Sequence, residues 1–374
     1  MARAWADISL EAVGANVRAL CERVAPASVC AVVKADGYGH GAVPVARAAL
    51  GAGATWLAVA QVPEATALRA GGIVAPVLLL SEPRPDEVDE ALAARVDVTL
   101  HTDSLIAAVG RAAADRPDGS PPVQVHLKVD TGMHRVGAAP ADMVALARQV
   151  LAHPELDLRA VWTHCAVADE PTRPETAMQL ERYEACLTDL AAAGITVPLR
   201  HVANSAAALL HPASRYDLVR CGIAIYGIAP APSLAVGLPL APVVRLATEV
   251  SFVKPVAQGE GISYGHRFHT ERDTVIATLP IGYADGVFRR LGELGQEVLI
   301  GGRRYPMVGA VTMDQIMVDV GPHAEVRAGD EAVLLGTQGD EQISPEDWAV
   351  RLGTISYEVV CAIGARVERR HLSS

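Results

Sequence analysis

Lys34 is the first residue whose type and place suggest chemistry. It closes an apolar run, Val29 to Val33, and opens the turn Ala35-Asp36-Gly37-Tyr38-Gly39-His40-Gly41. A lysine at the end of a buried strand can lose its proton by desolvation and attack a carbonyl. It could equally be a strand-end lysine reaching solvent, so other residues must decide. Further polar positions recur where apolar runs end. Arg135 lies in Lys128-Val-Asp-Thr-Gly-Met-His-Arg-Val-Gly. His164 ends a run, Asn204 and Ser205 follow another, and Arg220, Gly222 and Ile223 close a last one. The helix starts around Ser205 and Gly222-Ile223 suit a phosphate, because backbone N–H groups there attract anions. A lysine able to form an imine together with a phosphate site points to pyridoxal 5'-phosphate (PLP).

The elements that position these residues follow a rhythm. A first helix is predicted over 10–24, with Ser9 as its N-cap. Strands are predicted at 28–33, 55–60, 76–81, 96–100, 123–129, 158–163, 199–203 and 217–221. Helices near 42–51, 63–71, 85–94, 103–115, 140–152, 174–193 and 205–211 alternate with them. Eight such repeats predict a (β/α)8 TIM-type barrel, with a doubly wound open sheet as the structural competitor. On a barrel, all the polar positions above project at the C-terminal mouth. Each has a plainer reading alone: His164 as a core histidine, Arg220 paired with Asp217, Ser205 as a helix cap. Their convergence on one mouth argues against taking all of them so.

The rhythm stops between Pro230 and Pro242, a linker by its prolines. Beyond it, Val243–Val253, Thr274–Leu279, Glu297–Ile300, Ile316–Val320 and Ala332–Leu335 read as strands, with a hairpin at Gly301-Gly302. The expected domains are a barrel over 1–236 and a mostly-β domain over 237–374.

Composition narrows the class. A chain of 374 residues that is 51% hydrophobic can bury a large core. A formal net charge of -11 argues against nucleic acid or anionic membranes as main partners. No apolar run approaches the roughly 20 residues that span a bilayer. The early Asp7 and Glu11 do not suit a signal peptide. The six cysteines form no CxxC pair and read as buried free thiols, so a cytoplasmic location is expected. No histidine pattern suggests a metal.

Taken together, the motifs resemble the alanine racemase family of PLP-dependent barrel enzymes over nearly the whole chain. They are Val-Val-Lys34-Ala-Asp-Gly-Tyr38-Gly-His-Gly, the Lys128–Gly137 run, His201-Val-Ala-Asn204-Ser205-Ala-Ala and Arg220-Cys-Gly222-Ile223-Ala-Ile-Tyr226-Gly. Further along come Ser263-Tyr264-Gly265, Ile281-Gly-Tyr283-Ala-Asp-Gly, Thr312-Met313-Asp314-Gln315 and Thr354-Ile-Ser-Tyr357-Glu. The resemblance implies that Lys34 carries PLP as an imine and acts as the base on one face of an amino acid. It implies Tyr264 as the base on the other face, contributed by the second subunit of a head-to-tail homodimer. Arg220 would face the pyridine nitrogen and His164 would lie beside the cofactor. Tyr38, Ser205, Gly222, Ile223 and Tyr357 would hold the phosphate. Arg135 would orient the cofactor ring and the substrate carboxylate, and the Met313 backbone would bind that carboxylate. Lys128, carbamylated in some members, would position Arg135, and Tyr283 and Asp314 would support the site. Supply of D-alanine for peptidoglycan is implied in the same way.

The chemistry accounts for these residue types. Racemisation removes a proton from one face of Cα and returns it on the other, so two bases must flank it. Lysine and tyrosine ordinarily titrate near about 10, so nearby positive charge, with partial burial for the lysine, must lower them; Arg220 and His164 are the candidates. An arginine facing the pyridine nitrogen disfavours a proton there, which weakens the ring as an electron sink and suppresses transamination. The plainer readings are turn tyrosines for Tyr264 and Tyr283 and a turn residue for Asp314. Cys165, Thr312 and Ser263 depart from the family pattern and bear on substrate breadth. The alternatives are a broader amino-acid racemase, on serine for example, a barrel PLP decarboxylase, a cofactor-free Schiff-base aldolase and a non-enzymatic PLP carrier.

Overall fold

Apolar runs buried on both faces form a parallel sheet in this chain. In the computed structural model, residues 3–230, 237–323 and 325–373 are described. After β1 (Ala4–Ser9), eight strands follow: β2 Ser28–Val32, β3 Trp56–Val59, β4 Val77–Leu79, β5 Asp97–Leu100, β6 Val123–Lys128, β7 Leu156–Trp162, β8 Leu199–His201 and β9 Leu218–Cys221. All pair in parallel, in the order β8-β7-β6-β5-β4-β3-β2-β9. The two end strands also meet. Asp217 N donates to Arg200 O at 3.1 Å and Arg220 N to Ala203 O at 2.9 Å. The predicted barrel is therefore the observed one, and the open-sheet competitor falls away. Helices at Ala42–Gly51, Val62–Ala70, Val88–Ala93, Asp103–Ala114, Met143–Leu151, Glu175–Ala192 and Ser205–Leu210 lie between the strands. The first helix, Leu10–Val24, is capped by Ser9, whose Oγ accepts Ala12 N at 3.1 Å.

The chain divides into two compact units. One holds Val13–Gly37 and Ala42–Ala241; the other holds Met1–Ala12, Tyr38–Gly41 and Pro242–Ser374. The linker expected at Pro230–Pro242 and the division expected at 236/237 fall partly on 231–236, which lie outside the described residues. The second unit carries a ten-stranded, mostly antiparallel sheet. In it β1, unread in the sequence, pairs antiparallel with Val244–Glu249 and parallel with Glu368–Leu372. Val243–Val253 divides into two strands, Val244–Glu249 and Phe252–Val256. The hairpin at Gly301-Gly302 is present, with φ of 58° and 74°, as its two-residue turn requires. Of the cysteines expected to be buried, Cys21 is half-buried and Cys361 exposed. No helix among the described residues is long and apolar enough to cross a membrane.

The turn after β2 is the strained part of the frame. Ala35, Asp36, Gly37 and Tyr38 have φ of 52°, 49°, 63° and 54°, one left-handed turn. Three of them carry a Cβ, at roughly 1–2 kcal/mol each. Hydrogen bonds offset this. Glu64 accepts Ala35 N at 2.6 Å through one oxygen, and Ala60 N at 2.8 Å and Gln61 N at 3.0 Å through the other. Asp36 Oδ1 accepts Ala42 N at 2.8 Å, and Gly37 N donates to Val33 O at 2.8 Å. Bonds to a charged acceptor contribute about 1.5–3 kcal/mol each, so the Glu64 clamp balances the strain. Glu64→Ala is predicted to lower stability by roughly 3 kcal/mol, read by urea unfolding. Unchanged stability would mean that the clamp does not hold the turn.

Candidate active site

Lys34 stands at the C-terminal end of β2, where the left-handed turn begins. It is half-buried, beneath the fully packed Val29–Val33 run. Its charge acts on Lys128 and on His164, which places all three in one region of the mouth.

Arg220 is the hub of that region. It is buried, third in β9, and its guanidinium lies 4.5 Å from the Trp162 ring centroid. Nη2 donates to Thr163 O and Val202 O, both at 2.9 Å, and to His164 Nδ1 at 3.1 Å. Nη1 donates to His201 Nδ1 at 2.8 Å. Burial lowers its pKa to about 10, so it stays charged at neutral pH. The plainer pairing with Asp217 does not occur: Arg200 takes that carboxylate through Nε at 2.9 Å.

His164 differs from expectation. Burial, followed by the charges of Arg220 and Lys128, holds its pKa well below the usual value. It is therefore neutral, and its Nδ1 accepts from Arg220, so its proton sits on Nε2. It adds no positive charge to the mouth; Arg220 alone of the two candidates does so.

Arg135 is exposed, on a loop that Asp130 folds. Asp130 Oδ1 accepts Gly132 N at 2.9 Å, Met133 N at 3.0 Å and His134 N at 3.1 Å. Burial pushes the Asp130 carboxyl up, but these bonds and His134 outweigh it and hold it low. Thr131 Oγ1 meets Thr163 Oγ1 at 2.8 Å, and Gln179 bridges Thr131 Oγ1 and His164 O. Thus the Arg135 loop and the end of β7 are tied together. Ser205 is not the cap of its helix: Asn204 Oδ1 accepts Ala207 N at 2.9 Å. Ser205 Oγ instead accepts Gly222 N at 2.9 Å. Tyr226 Oη donates to Val32 O at 3.0 Å, so the Gly222–Ile223 turn is moored beside the strand that carries Lys34.

In the second unit, Tyr38 and Tyr357 face each other, ring centroids 6.3 Å apart. Burial, then the proximity of Tyr357, pushes the Tyr38 hydroxyl pKa up. Tyr264 is 76% exposed, on a turn where Ser263 and Gly265 have φ of 63° and 75°. Ser263 Oγ donates to Ala310 O at 2.8 Å, and Tyr283 N to Thr312 O at 3.0 Å. These bonds gather the Tyr264, Tyr283 and Met313 loops. Ala284 N takes the Met313 carbonyl at 3.1 Å. No acceptor among the described residues takes the Met313 N–H. Asp314 pairs with Arg366 at 2.8 Å, a structural partner rather than a free turn residue.

Sequence reasoning missed Glu64, Asp97, His126 and Trp162. One signal was present: β6 reads Val-Gln-Val-His-Leu-Lys, so His126 and Lys128 share one face of an otherwise apolar strand.

The residues of the mouth fit PLP. An amine, a guanidinium and the Ser205–Gly222–Ile223 turn match its aldehyde, ring nitrogen and phosphate. Lys128 is buried with Nζ 4.2 Å from the Trp162 centroid. Burial, then Arg220 and Arg135, lower its pKa to about 7. A lysine depressed on folding binds fewer protons folded than unfolded between about 7 and its ordinary value. Its penalty is full below pH 7 and fades as pH rises. In carbon-dioxide-free buffer, Lys128→Met is therefore predicted to raise Tm more at pH 6 than at pH 10, read by calorimetry. Equal gains would contradict the depressed value.

Residues 8–230 match the family model described as alanine racemase, N-terminal domain, and residues 243–371 the one described as alanine racemase, C-terminal domain. The chain is 50% identical over 366 residues to an alanine racemase of Symbiobacterium thermophilum, covering 98% of this chain and 96% of the relative. Among solved structures, alanine racemase from Streptomyces lavendulae aligns with a TM-score of 0.93 at 40% identity, covering 100% of this chain and 98% of that one. A histidine racemase from Leuconostoc mesenteroides aligns at 29% identity with a TM-score of 0.91, covering 100% and 98%. Full-length identity, both domain models and the barrel-plus-β-domain fold agree, and the chain belongs to the alanine racemase family.

Proposed function

We propose that Lys34 and Tyr264 perform, on opposite faces of the substrate, the proton exchange by which the chain interconverts L- and D-alanine, with PLP as its cofactor. The observation that carries this reading is the charged Arg220, buried in the mouth among neutral acceptors. When bound, PLP supplies an electron-withdrawing ring that acidifies the substrate Cα–H. Lys34 holds the cofactor through Nζ and exchanges a proton at one face of Cα. The Tyr264 hydroxyl exchanges one at the other. Arg220 presents an N–H to the ring nitrogen and, being a donor, opposes a proton there. His164 stays neutral beside the cofactor and adds no competing charge. The Ser205 hydroxyl and the Gly222–Ile223 turn hold the phosphate, with the hydroxyls of Tyr38 and Tyr357.

Arg135 and the Met313 N–H hold the substrate carboxylate, which speaks for racemisation over decarboxylation. With its pKa lowered to about 7, the Lys128 amine is partly unprotonated at neutral pH and so a nucleophile for carbon dioxide, and the carbamate would give Arg135 an anionic partner. Tyr283 and Asp314, the latter through Arg366, support the Met313 loop. The active form in this reading is a head-to-tail homodimer in which each Tyr264 serves its partner's site. The high exposure of Tyr264 supports this. The proposal also includes a cytoplasmic location and supply of D-alanine for peptidoglycan.

The fold similarity to a histidine racemase favours one second reading, a broader substrate range set around Cys165, Ser263 and Thr312. A panel of amino acids read for solvent deuterium uptake at Cα tests it; uptake by alanine alone would remove it.

Tyr264→Phe is predicted to leave the cofactor absorbance intact and slow exchange by roughly 100-fold or more, most in the L-alanine direction. Survival of both directions would remove Tyr264 from the reaction. Mixing Lys34→Ala chains with Tyr264→Phe chains is predicted to restore about a quarter of wild-type activity, because half the dimers are mixed and each has one complete site. No rescue would contradict the shared site.

A further inference from the structure

Asp97, His126 and His201 have no part in the reaction as assigned above, yet they form a line to Arg220. All three are buried. Arg220 Nη1 donates to His201 Nδ1 at 2.8 Å. His201 Nε2 lies 3.0 Å from His126 Nδ1. His126 Nε2 lies 3.4 Å from Asp97 Oδ2. Asp97 opens β5, His126 is fourth in β6, and His201 closes β8. The line therefore runs through the barrel interior from the start of one strand to the mouth.

The direction of its hydrogen bonds is fixed from one end. A guanidinium only donates, so His201 Nδ1 must be the acceptor. A neutral imidazole then carries its single proton on Nε2, which donates to His126 Nδ1. His126 in turn carries its proton on Nε2, aimed at a group that only accepts when ionised, the Asp97 carboxylate. Reversing either ring sets donor against donor. Burial, first among the causes, holds both imidazoles below the usual pKa, and Arg220 adds to it. Packing limits ring rotation. Trp162 stacks on His201 at 5.4 Å and 14°, and Trp56 lies 5.4 Å from His126.

We propose that Asp97, His126 and His201 are positioning residues for Arg220: a one-way hydrogen-bond chain through both imidazoles, ending in a 3.4 Å contact between His126 Nε2 and the Asp97 carboxylate, fixes both tautomers and the orientation of the guanidinium. Its effect on the cofactor rests on the reading that Arg220 faces the ring nitrogen; the wiring itself does not. Among the described residues Asp97 is the one carboxylate within 4 Å of His126 Nε2, and removing it leaves that N–H facing no anion. The His126 tautomer is then held only by His201, and the support behind the acceptor of Arg220 is loosened.

The test is a long-range 1H–15N correlation spectrum of the cofactor-loaded protein with 15N-labelled histidine. His126→Gln and His201→Gln spectra identify the signals. Both rings are expected as single, neutral Nε2–H tautomers. An Nδ1–H tautomer or a doubly protonated ring at either position would overturn the proposal. Asp97→Leu is expected to give mixed His126 tautomers and to weaken PLP binding by the apo-protein roughly tenfold, whereas Asp97→Asn, which keeps an acceptor oxygen, retains both. Weakened binding with unchanged histidine signals would mark a purely structural role and overturn the proposal. Mixed tautomers with unchanged binding would uphold the wiring and contradict the assignment of Arg220 to the ring nitrogen. Should Asp97→Leu fail to fold, the tautomers of the unaltered protein decide the matter.

Discussion

A guanidinium buried among neutral acceptors is the constraint on which the rest of the site depends. Arg220 donates to two backbone carbonyls and two imidazoles, and no carboxylate among the described residues bonds to it. Taking a charge out of water without a direct counter-ion is expensive, and the fold spends four strand-end acceptors and an aromatic face on it. The consequences spread through the mouth. Arg220 helps to depress Lys128, His164 and His201. The interior is left with neutral nitrogens and one dominant positive charge. Such a field favours an anionic ligand, as a phosphorylated aldehyde would be.

The backbone around the two assigned bases is strained in both units. Lys34 enters a left-handed turn that Glu64 clamps, and Tyr264 stands between two residues of positive φ. Strain of this kind persists only where surrounding bonds over-determine it. Around Lys34 those bonds are on three backbone N–H groups held by one carboxylate. Around Tyr264 the Ser263 hydroxyl anchors to Ala310. In each case a few polar contacts fix the backbone from which the side chain projects.

The barrel was legible because its strands are buried on both faces and so read as unbroken apolar runs, Val29–Val33 and Leu57–Val59 among them. Lys34, His164 and Arg220 were legible because each interrupts such a run at its C-terminal end. β1 was not: Ala4–Ser9 is short, mixes Asp7 with Trp5 and Ile8, and gains its place from partners more than 230 residues away. Glu64 looked like an ordinary helix-start acid, since Ala60 and Gln61 lie just before its own helix and only Ala35 comes from a distant turn. The protonation of His164 was misread for a related reason. Its charge state is set by burial and then by Arg220, 56 residues on, and strand pairing brings the two together.

Exchange of the Cα hydrogen through two bases, rather than one, is the centre of this account. The direct measurement is a single turnover of Cα-deuterated L-alanine in ordinary water, with the isotope in the D-alanine product read by mass spectrometry. Two bases on opposite faces predict a product that carries protium, because the base that takes the deuteron is not the one that delivers the new hydrogen. Substantial retention of deuterium at Cα of D-alanine would show one base working both faces and would contradict the pairing of Lys34 with Tyr264.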